Sequence, residues 1–320
     1  MSSQAATVNR DPGSIANPSG RRLESLISFA LWGCAAVSVF TTIGIVVVLL
    51  TESLQFFREV SLIEFLTGTK WTPLFKPAHF GILPLLCGTM LVTVGAVLVA
   101  GPIGLGTAIY LSEYASPGVR NSIKPVLEVL AGIPSVVYGV VAVTTVTPAL
   151  RSGVQAINAA FGTEVKVDVF NAASASIVVG FMILPLIVSL SEDVLRSVPR
   201  ALREAAYALG ATKFDVTARV VTPAALSGIV AAFLLAISRA IGETMAVTLA
   251  AGASPTLTLN PLVSVQTMTA YIVNITSGDT PTGTLEYRTV FAVGLTLFLI
   301  TMLINVAAQG VLSRMREKYD

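Results

Sequence analysis

The chain is poor in the residues on which most enzymes rely. It holds one histidine, His79, and two cysteines, Cys34 and Cys87, among 320 residues. A histidine-based metal cluster or a Ser-His-Asp arrangement has almost no material, and His79 is expected to be a solvated loop residue. Cys34 and Cys87 lie in separate apolar runs without metal or redox spacing, and are expected to be buried free thiols. None of the six lysines (Lys70, Lys76, Lys124, Lys166, Lys213 and Lys318) follows a glycine. The Gly-Lys-Ser/Thr that holds phosphates in a P-loop is therefore missing. Charge is scarce too: Asp, Glu, Lys and Arg make up 12% of the residues, against about 25% in soluble domains. The net charge of +2 says little and implies no nucleic-acid partner.

What is present is apolar. Hydrophobic residues make up 54% of the chain and the mean hydropathy is +0.80, which is the composition of a polytopic membrane protein. Residues 1–22 are polar, with Pro12, Gly13, Pro18 and Gly20, and read as a disordered cytoplasmic tail. Six apolar runs follow, at about 23–50, 82–111, 125–150, 172–190, 224–251 and 289–312, and 313–320 form a charged tail. About 20 apolar residues cross a bilayer. The first run is about twice as long as the apolar core of a signal peptide. Leu31-Trp32-Gly33-Cys34 is a poor lipoprotein site, because Trp32 is bulky and the run continues beyond it, so the first span is expected to be retained. Gly101-Pro102-Ile103-Gly104 is expected to interrupt the second run.

Lysine and arginine set the orientation. Thirteen fall in the two tails, at Arg120 and Lys124, and between Arg196 and Arg219. Six fall in the alternate loops (Arg58, Lys70, Lys76, Arg151, Lys166 and Arg288), and Arg239 is left inside a span. The richer set belongs in the cytoplasm, with both termini.

The segment 196–223 is the most charged interior stretch. It reads as two short helices joined at Gly210, a residue free to take positive φ. Ala201, Leu202, Ala205, Ala206 and Leu209 recur at helical spacing and are expected to form one apolar stripe. Thr212 and Asp215 have capping-box spacing. The stretch resembles the cytoplasmic E-A-A loop of ABC importer permeases, matched here by Glu204, Ala205, Ala206, Gly210, Val220 and Pro223, with Thr222 in place of the usual leucine. The resemblance implies a coupling helix that fits a cleft in a separate ATPase subunit, with Glu204, Ala205, Ala206, Gly210 and Asp215 as the coupling residues. It also implies an all-α polytopic protein of six transmembrane helices with the type I importer permease fold.

Two charges stand inside the fifth run, Arg239 and Glu243. At i and i+4 they are expected to share a helical face. Ionisable groups there face a cavity or a partner. One reading is a purely structural ion pair. The other is a substrate pathway, with Arg239 offering planar donors to an oxyanion and Glu243 orienting it or accepting from a protonated oxygen. Ser238 and Gly242 would allow close helix approach.

Ser238-Arg239-Ala240-Ile241-Gly242-Glu243-Thr244-Met245 resembles the fifth-span signature of the PstC family of phosphate-importer permeases. So does Leu130-Ala131-Gly132-Ile133-Pro134-Ser135-Val136-Val137-Tyr138-Gly139. Trp71-Thr72-Pro73 with Phe80-Gly81-Ile82-Leu83-Pro84 favours PstC over its sister PstA. The similarity covers nearly the whole chain after about residue 22. It implies an inner-membrane heterodimer with PstA, two PstB ATPases that bind ATP and Mg, and an extracytoplasmic receptor, PstS. That receptor would dock near Trp71 and on 252–288. It implies phosphate import by alternating access within membrane lipid and no cofactor in this chain. A permease for molybdate or sulfate, or a secondary anion transporter, is the alternative.

Overall fold

The structure of the protein, a computed structural model, describes residues 18–315, with side chains described over residues 24–310. Residues 1–17 and 316–320, and with them most of both expected tails, lie outside the described residues. The helices in order are α1 (Pro18–Glu59), α2 (Leu62–Thr67), α3 (Leu83–Ile109), α4 (Pro117–Gly132), α5 (Ser135–Val141), α6 (Thr147–Phe161), α7 (Ala172–Ser197), α8 (Arg200–Ala208), α9 (Lys213–Val216), α10 (Thr222–Ala224), α11 (Leu226–Ile241), α12 (Met245–Ala250), α13 (Met268–Ser277) and α14 (Leu285–Met315). Wider π turns carry α3 on to Tyr114, join α5 to α6, and join α9 to α10. α1 begins inside the segment read as a tail.

Five helical segments are long and apolar enough to cross a membrane: Glu24–Glu59, Leu83–Tyr114, Ser135–Phe161, Ala172–Ser197 and Leu285–Gly310. The pair Lys213–Ala224 and Leu226–Ile241, bent by 67°, makes a sixth if taken as one span. The chain divides into a unit up to Thr51 and a unit from Glu52 onward. In the first unit, α1 presents Leu26, Phe29, Trp32 and Phe40 outward. Cys34 is exposed there and Cys87 is half-buried, its thiol donating to the Thr258 carbonyl at 3.2 Å. The expectation of two buried thiols is corrected, since Cys34 lies on a helix face with no cover.

The second unit is centred on α3 packed along α7. Small residues let the backbones approach. A Cβ on Gly104 would stand 2.8 Å from Ile187 Cγ2, so a side chain there would force the helices apart. Ala96, Ala100, Val179, Ile183 and Ile187 fill the contact, and the Ser176 hydroxyl, which donates mainly to the Ala172 carbonyl at 2.7 Å, also reaches the Val92 carbonyl across it at 3.3 Å. This packing explains why Pro102 does not break α3, contrary to expectation. Neighbouring helices hold the segment, and one absent N–H is tolerated.

The third run, expected as one span over 125–150, is instead divided at Ile133–Pro134. Proline disfavours helical dihedrals at the residue before it, and Ile133 is extended at φ −66°, ψ 128°. α4 therefore begins well before the expected run, and the segment from α5 onward carries the span.

A second core is aromatic. Phe56, Phe65, Trp71, Phe80 and Tyr271 meet mostly edge to face, with centroids 5.0–6.2 Å apart. Trp71 is buried there, so it offers no docking surface; Leu74 and Phe75 are the exposed apolar residues of that loop. His79 is exposed, as expected. The 252–288 loop contributes α13, whose Tyr271 hydroxyl lies 2.6 Å from Thr289 Oγ1. Thr289 spends its own proton on the Glu286 carbonyl, so Tyr271 is the donor. Burial pushes the Tyr271 phenol above its ordinary pKa, in keeping with a neutral donor.

Candidate functional site

The elbow forms as the sequence predicts at its joint. α8 closes with Gly210 at φ +79°. The Gly210 amide donates to the Tyr207 carbonyl at 2.9 Å and the Ala211 amide to the Ala206 carbonyl at 3.1 Å. Those two bonds make a Schellman motif, which needs a left-handed residue at Gly210. Thr212 then caps α9. Its hydroxyl oxygen accepts from the Asp215 amide at 3.2 Å, and the hydroxyl donates to the Asp215 carboxylate at 2.6 Å. Asp215 also faces Arg219 at 3.5 Å.

The expected apolar stripe of α8 splits in two. Leu202 and Ala206 pack on a small core of Ala108, Leu195, Val198, Val216 and Ile229. Ala201, Ala205 and Leu209 face outward with Glu204, and Leu209 is 90% exposed. Phe214 is also largely exposed. The outward apolar patch beside Gly210 is the part free to meet another protein.

Arg203 ties the elbow down. Its guanidinium donates to Glu113 Oε1 at 3.0 Å, the Leu195 carbonyl at 2.8 Å and the Val198 carbonyl at 2.5 Å. One side chain thus binds α8 to the ends of α3 and α7. Lys213 lies 4.8 Å from the centroid of the Tyr114 ring, a second tie to the end of α3.

Above this anchor lies a cavity of about 210 Å³ between α4, α7 and α11. Its walls are mostly apolar, including Leu127, Met182, Pro185 and Leu186, but four charges reach it: Lys124, Glu128, Glu192 and Arg239. Glu192 is buried and surrounded by cations. Arg120 Nε stands 2.7 Å away, Lys124 Nζ 3.4 Å and Arg196 Nη1 3.5 Å. Lys124 also approaches Asp193 at 3.5 Å. A buried carboxylate needs such compensation. It fastens α4 against α7.

Arg239 and Glu243 do not share a helix. α11 ends at Ile241 and α12 starts at Met245. Glu243 Oε1 accepts from the Ala246 amide at 3.1 Å, and the Glu243 carbonyl accepts from the Thr269 hydroxyl at 2.6 Å. Glu243 is therefore taken up in starting α12, and the expected i,i+4 face is corrected by this break. Arg239 stands in the last turn of α11, where the helix dipole favours a cation. It is exposed in the single chain and has no ion pair or hydrogen bond among the described residues. Beside it, the Ser238 hydroxyl donates to Asn305 Oδ1 at 3.0 Å, joining α11 to α14; Gly242 meets no neighbouring helix.

Lys124, Glu128 and Glu192 were not singled out as site residues from the sequence, where they fall in or beside charged loop stretches. The available signal was the four-residue spacing of Lys124 and Glu128, which places them on one face of α4.

Several helices long and apolar enough to cross a membrane, an outward elbow and an arginine without an ion pair among the described residues beside a partly open cavity are the features of a transport permease. The chain belongs to the family described as the binding-protein-dependent transport system inner membrane component, whose model matches residues 100–317. It is a transport component and not an enzyme. It is 34% identical over 283 residues, 88% of each chain, to the probable ABC transporter permease protein YqgH of Bacillus subtilis. It is 36% identical over 263 residues, 78% of each chain, to the phosphate transport system permease protein PstC of Mesorhizobium japonicum. Among solved structures, a bacterial alginate ABC transporter in complex with an alginate pentasaccharide-bound periplasmic protein aligns with TM-score 0.62 at 12% identity, over 91% of this chain and 96% of that one. The inward-facing MetNI methionine ABC transporter aligns with TM-score 0.52 at 18% identity, over 74% and 95%. At these identities the structures speak to the fold, which is that of a type I importer permease.

Proposed function

We propose that this chain is the subunit through which inorganic phosphate crosses the membrane in an ATP-driven ABC importer. The observation that carries the reading is Arg239, a guanidinium with no ion pair among the described residues, on an apolar helix beside a partly open cavity. An unpaired charge is costly in a membrane unless it meets water, a partner or a substrate, and a planar guanidinium suits an oxyanion. The names of the PstC relatives support phosphate as that oxyanion. Glu243 serves the pathway by holding the break just beyond Arg239.

In this reading the exposed side of Arg239 faces a sister permease of the PstA kind. The elbow, through Glu204, Ala205, Ala206, Gly210 and Asp215, sits against a PstB-like ATPase pair that binds ATP and Mg. A PstS-like receptor delivers phosphate on the other side. Both termini lie in the cytoplasm, as the lysine and arginine distribution suggests. Closure of the ATPases moves α8. Arg203 passes that displacement to α7 at Leu195, one turn from Glu192, and so to the wall of the cavity. Alternating access follows if the anion binds the two states differently.

The test is ATP-dependent phosphate uptake by proteoliposomes holding this chain with its co-purifying partners, with sulfate and molybdate in parallel. Uptake of phosphate alone supports the proposal. Preferential uptake of sulfate or molybdate, or no ATP dependence, sinks it.

A further inference from the structure

The cavity beside Arg239 holds a second charge without a counter-ion. Lys124 and Glu128 both reach the cavity from α4. Lys124 leans away toward Glu192 and Asp193. Glu128 makes no ion pair or hydrogen bond among the described residues, and neither does Arg239. The two lie on the same cavity, yet their charged atoms do not come within 4.0 Å of each other. Both are exposed where they line the cavity, so water can solvate them singly, and the cavity they share leaves room for a ligand between them.

The two groups ask for different chemistry. Arg239 has only N–H donors and needs an acceptor oxygen. Glu128, when ionised, only accepts and needs a donor. A ligand that satisfies both must present an anionic oxygen on one side and an O–H on the other. Among small tetrahedral oxyanions, hydrogen phosphate and hydrogen arsenate meet both demands near neutral pH. Sulfate and molybdate carry no proton there, and would set one negative oxygen against another at Glu128. Opposing like charge is how a site rejects a competitor of similar shape. The neighbouring Glu192 is already surrounded by Arg120, Lys124 and Arg196, so it cannot take this role.

We infer that Glu128 determines anion specificity in the permease itself, accepting the O–H of a protonated oxyanion that Arg239 holds by its other oxygens. The inference rests on the pathway role proposed for Arg239. It adds a selection step inside the membrane that does not depend on the receptor.

The experiment uses the complete complex of permeases and ATPases, solubilised without receptor or nucleotide, so that the receptor makes no selection. Binding of radiolabelled inorganic phosphate is measured against unlabelled arsenate, sulfate and molybdate. In the wild type, arsenate should compete about as well as phosphate, and sulfate and molybdate at least about tenfold worse, the order expected when a polar group is left unmatched. In Glu128→Gln the amide can donate as well as accept, so sulfate and molybdate should come within about threefold of arsenate. Glu128→Asp keeps the carboxylate and should keep the wild-type order. Glu128 is exposed and makes no ion pair or hydrogen bond among the described residues, so neither change opens a packing defect.

The wild-type order of competitors in Glu128→Gln would overturn the inference and leave the pathway reading standing. Undiminished phosphate binding in Arg239→Ala would overturn the pathway reading instead. No phosphate binding by the wild-type complex would overturn both. If neither Glu128 variant assembles, the residue belongs to the folding of α4 and the inference fails.

Discussion

The elbow keeps the determinants of its joint within ten residues, from Ala206 to Asp215, whereas the cavity draws its four charges from three helices that meet only after folding. The difference decides how each region can be altered. At the joint, each group is satisfied by a near neighbour in sequence, so one substitution has one consequence. In the cavity, Glu192 compensates three cations from two helices, and Lys124 serves two carboxylates. Removing one charge there changes the balance for the rest.

The largest expected effect is at Arg239. Arg239→Ala should reduce phosphate uptake per assembled complex by at least about a hundredfold, the loss of two charge-assisted hydrogen bonds of roughly 1.5–3 kcal/mol each. The complex should still assemble, because the Arg239 side chain makes no ion pair or hydrogen bond among the described residues. Arg239→Lys keeps the charge without the planar fork and should give partial uptake. Wild-type uptake by Arg239→Ala would leave the cavity without a role in transport, and the comparison with the elbow would lose its functional half.

Glu192→Ala comes next, as a change in stability. It leaves Arg120, Lys124 and Arg196 beside one another with their carboxylate gone. Because all three cations keep some access to solvent, the cost should be about 2 kcal/mol, below that of stranding a fully buried charge. Thermal unfolding of the solubilised complex measures it. A melting temperature equal to that of the wild type would mean that the cluster does not hold α4 to α7.

Gly210→Val should cost about 1–2 kcal/mol, because a β-branched residue resists positive φ. A Cβ there would meet open space, so the strain comes from the backbone alone. Gly162 offers the control: it closes α6 at φ +67°, also with open space around a Cβ. Both valine variants should lose similar stability. Only the Gly210 variant should hydrolyse ATP without importing phosphate, or bind the ATPase poorly. Equal loss of import in both would assign the effect to strain and remove the coupling role of the elbow.

The same contrast explains what could be read from the chain. Gly210, Thr212 and Asp215 were legible because their partners are three to five residues away and their chemistry is local. The outward half of α8 was not, since periodicity places Leu202 and Leu209 on one stripe but cannot say that the body covers only the first. The six apolar runs each overlap a helical segment long and apolar enough to cross a membrane, the fifth only through the bent pair that ends at Ile241. The breaks at Ile133–Pro134 and Gly242–Thr244 were not read, although Pro134 was a local signal for the first. The cavity was half legible. Arg239 stands out in an apolar run, while Glu192 and Glu128 become site residues only when α4 folds onto α7 and α11 closes the third side.

The smallest expected effect is at Glu243, and it separates the two regions most sharply. In the structure its side chain is a local device like those of the elbow: Oε1 accepts from the Ala246 amide at 3.1 Å and opens α12. Glu243→Gln keeps an acceptor oxygen at that position, so stability should stay within about 0.5 kcal/mol of the wild type and uptake should be nearly unchanged. Glu243→Ala removes the acceptor and should cost about 1 kcal/mol, the usual loss of a helix cap. A residue that balanced Arg239, or met the anion, would behave otherwise, because glutamine would strip a charge from the pathway and uptake would fall with stability intact. Phosphate uptake and thermal unfolding, measured together on both variants, distinguish these outcomes. A Glu243→Gln complex of wild-type stability that imports tenfold less phosphate would return Glu243 to the pathway beside Arg239 and overturn its assignment to the start of α12.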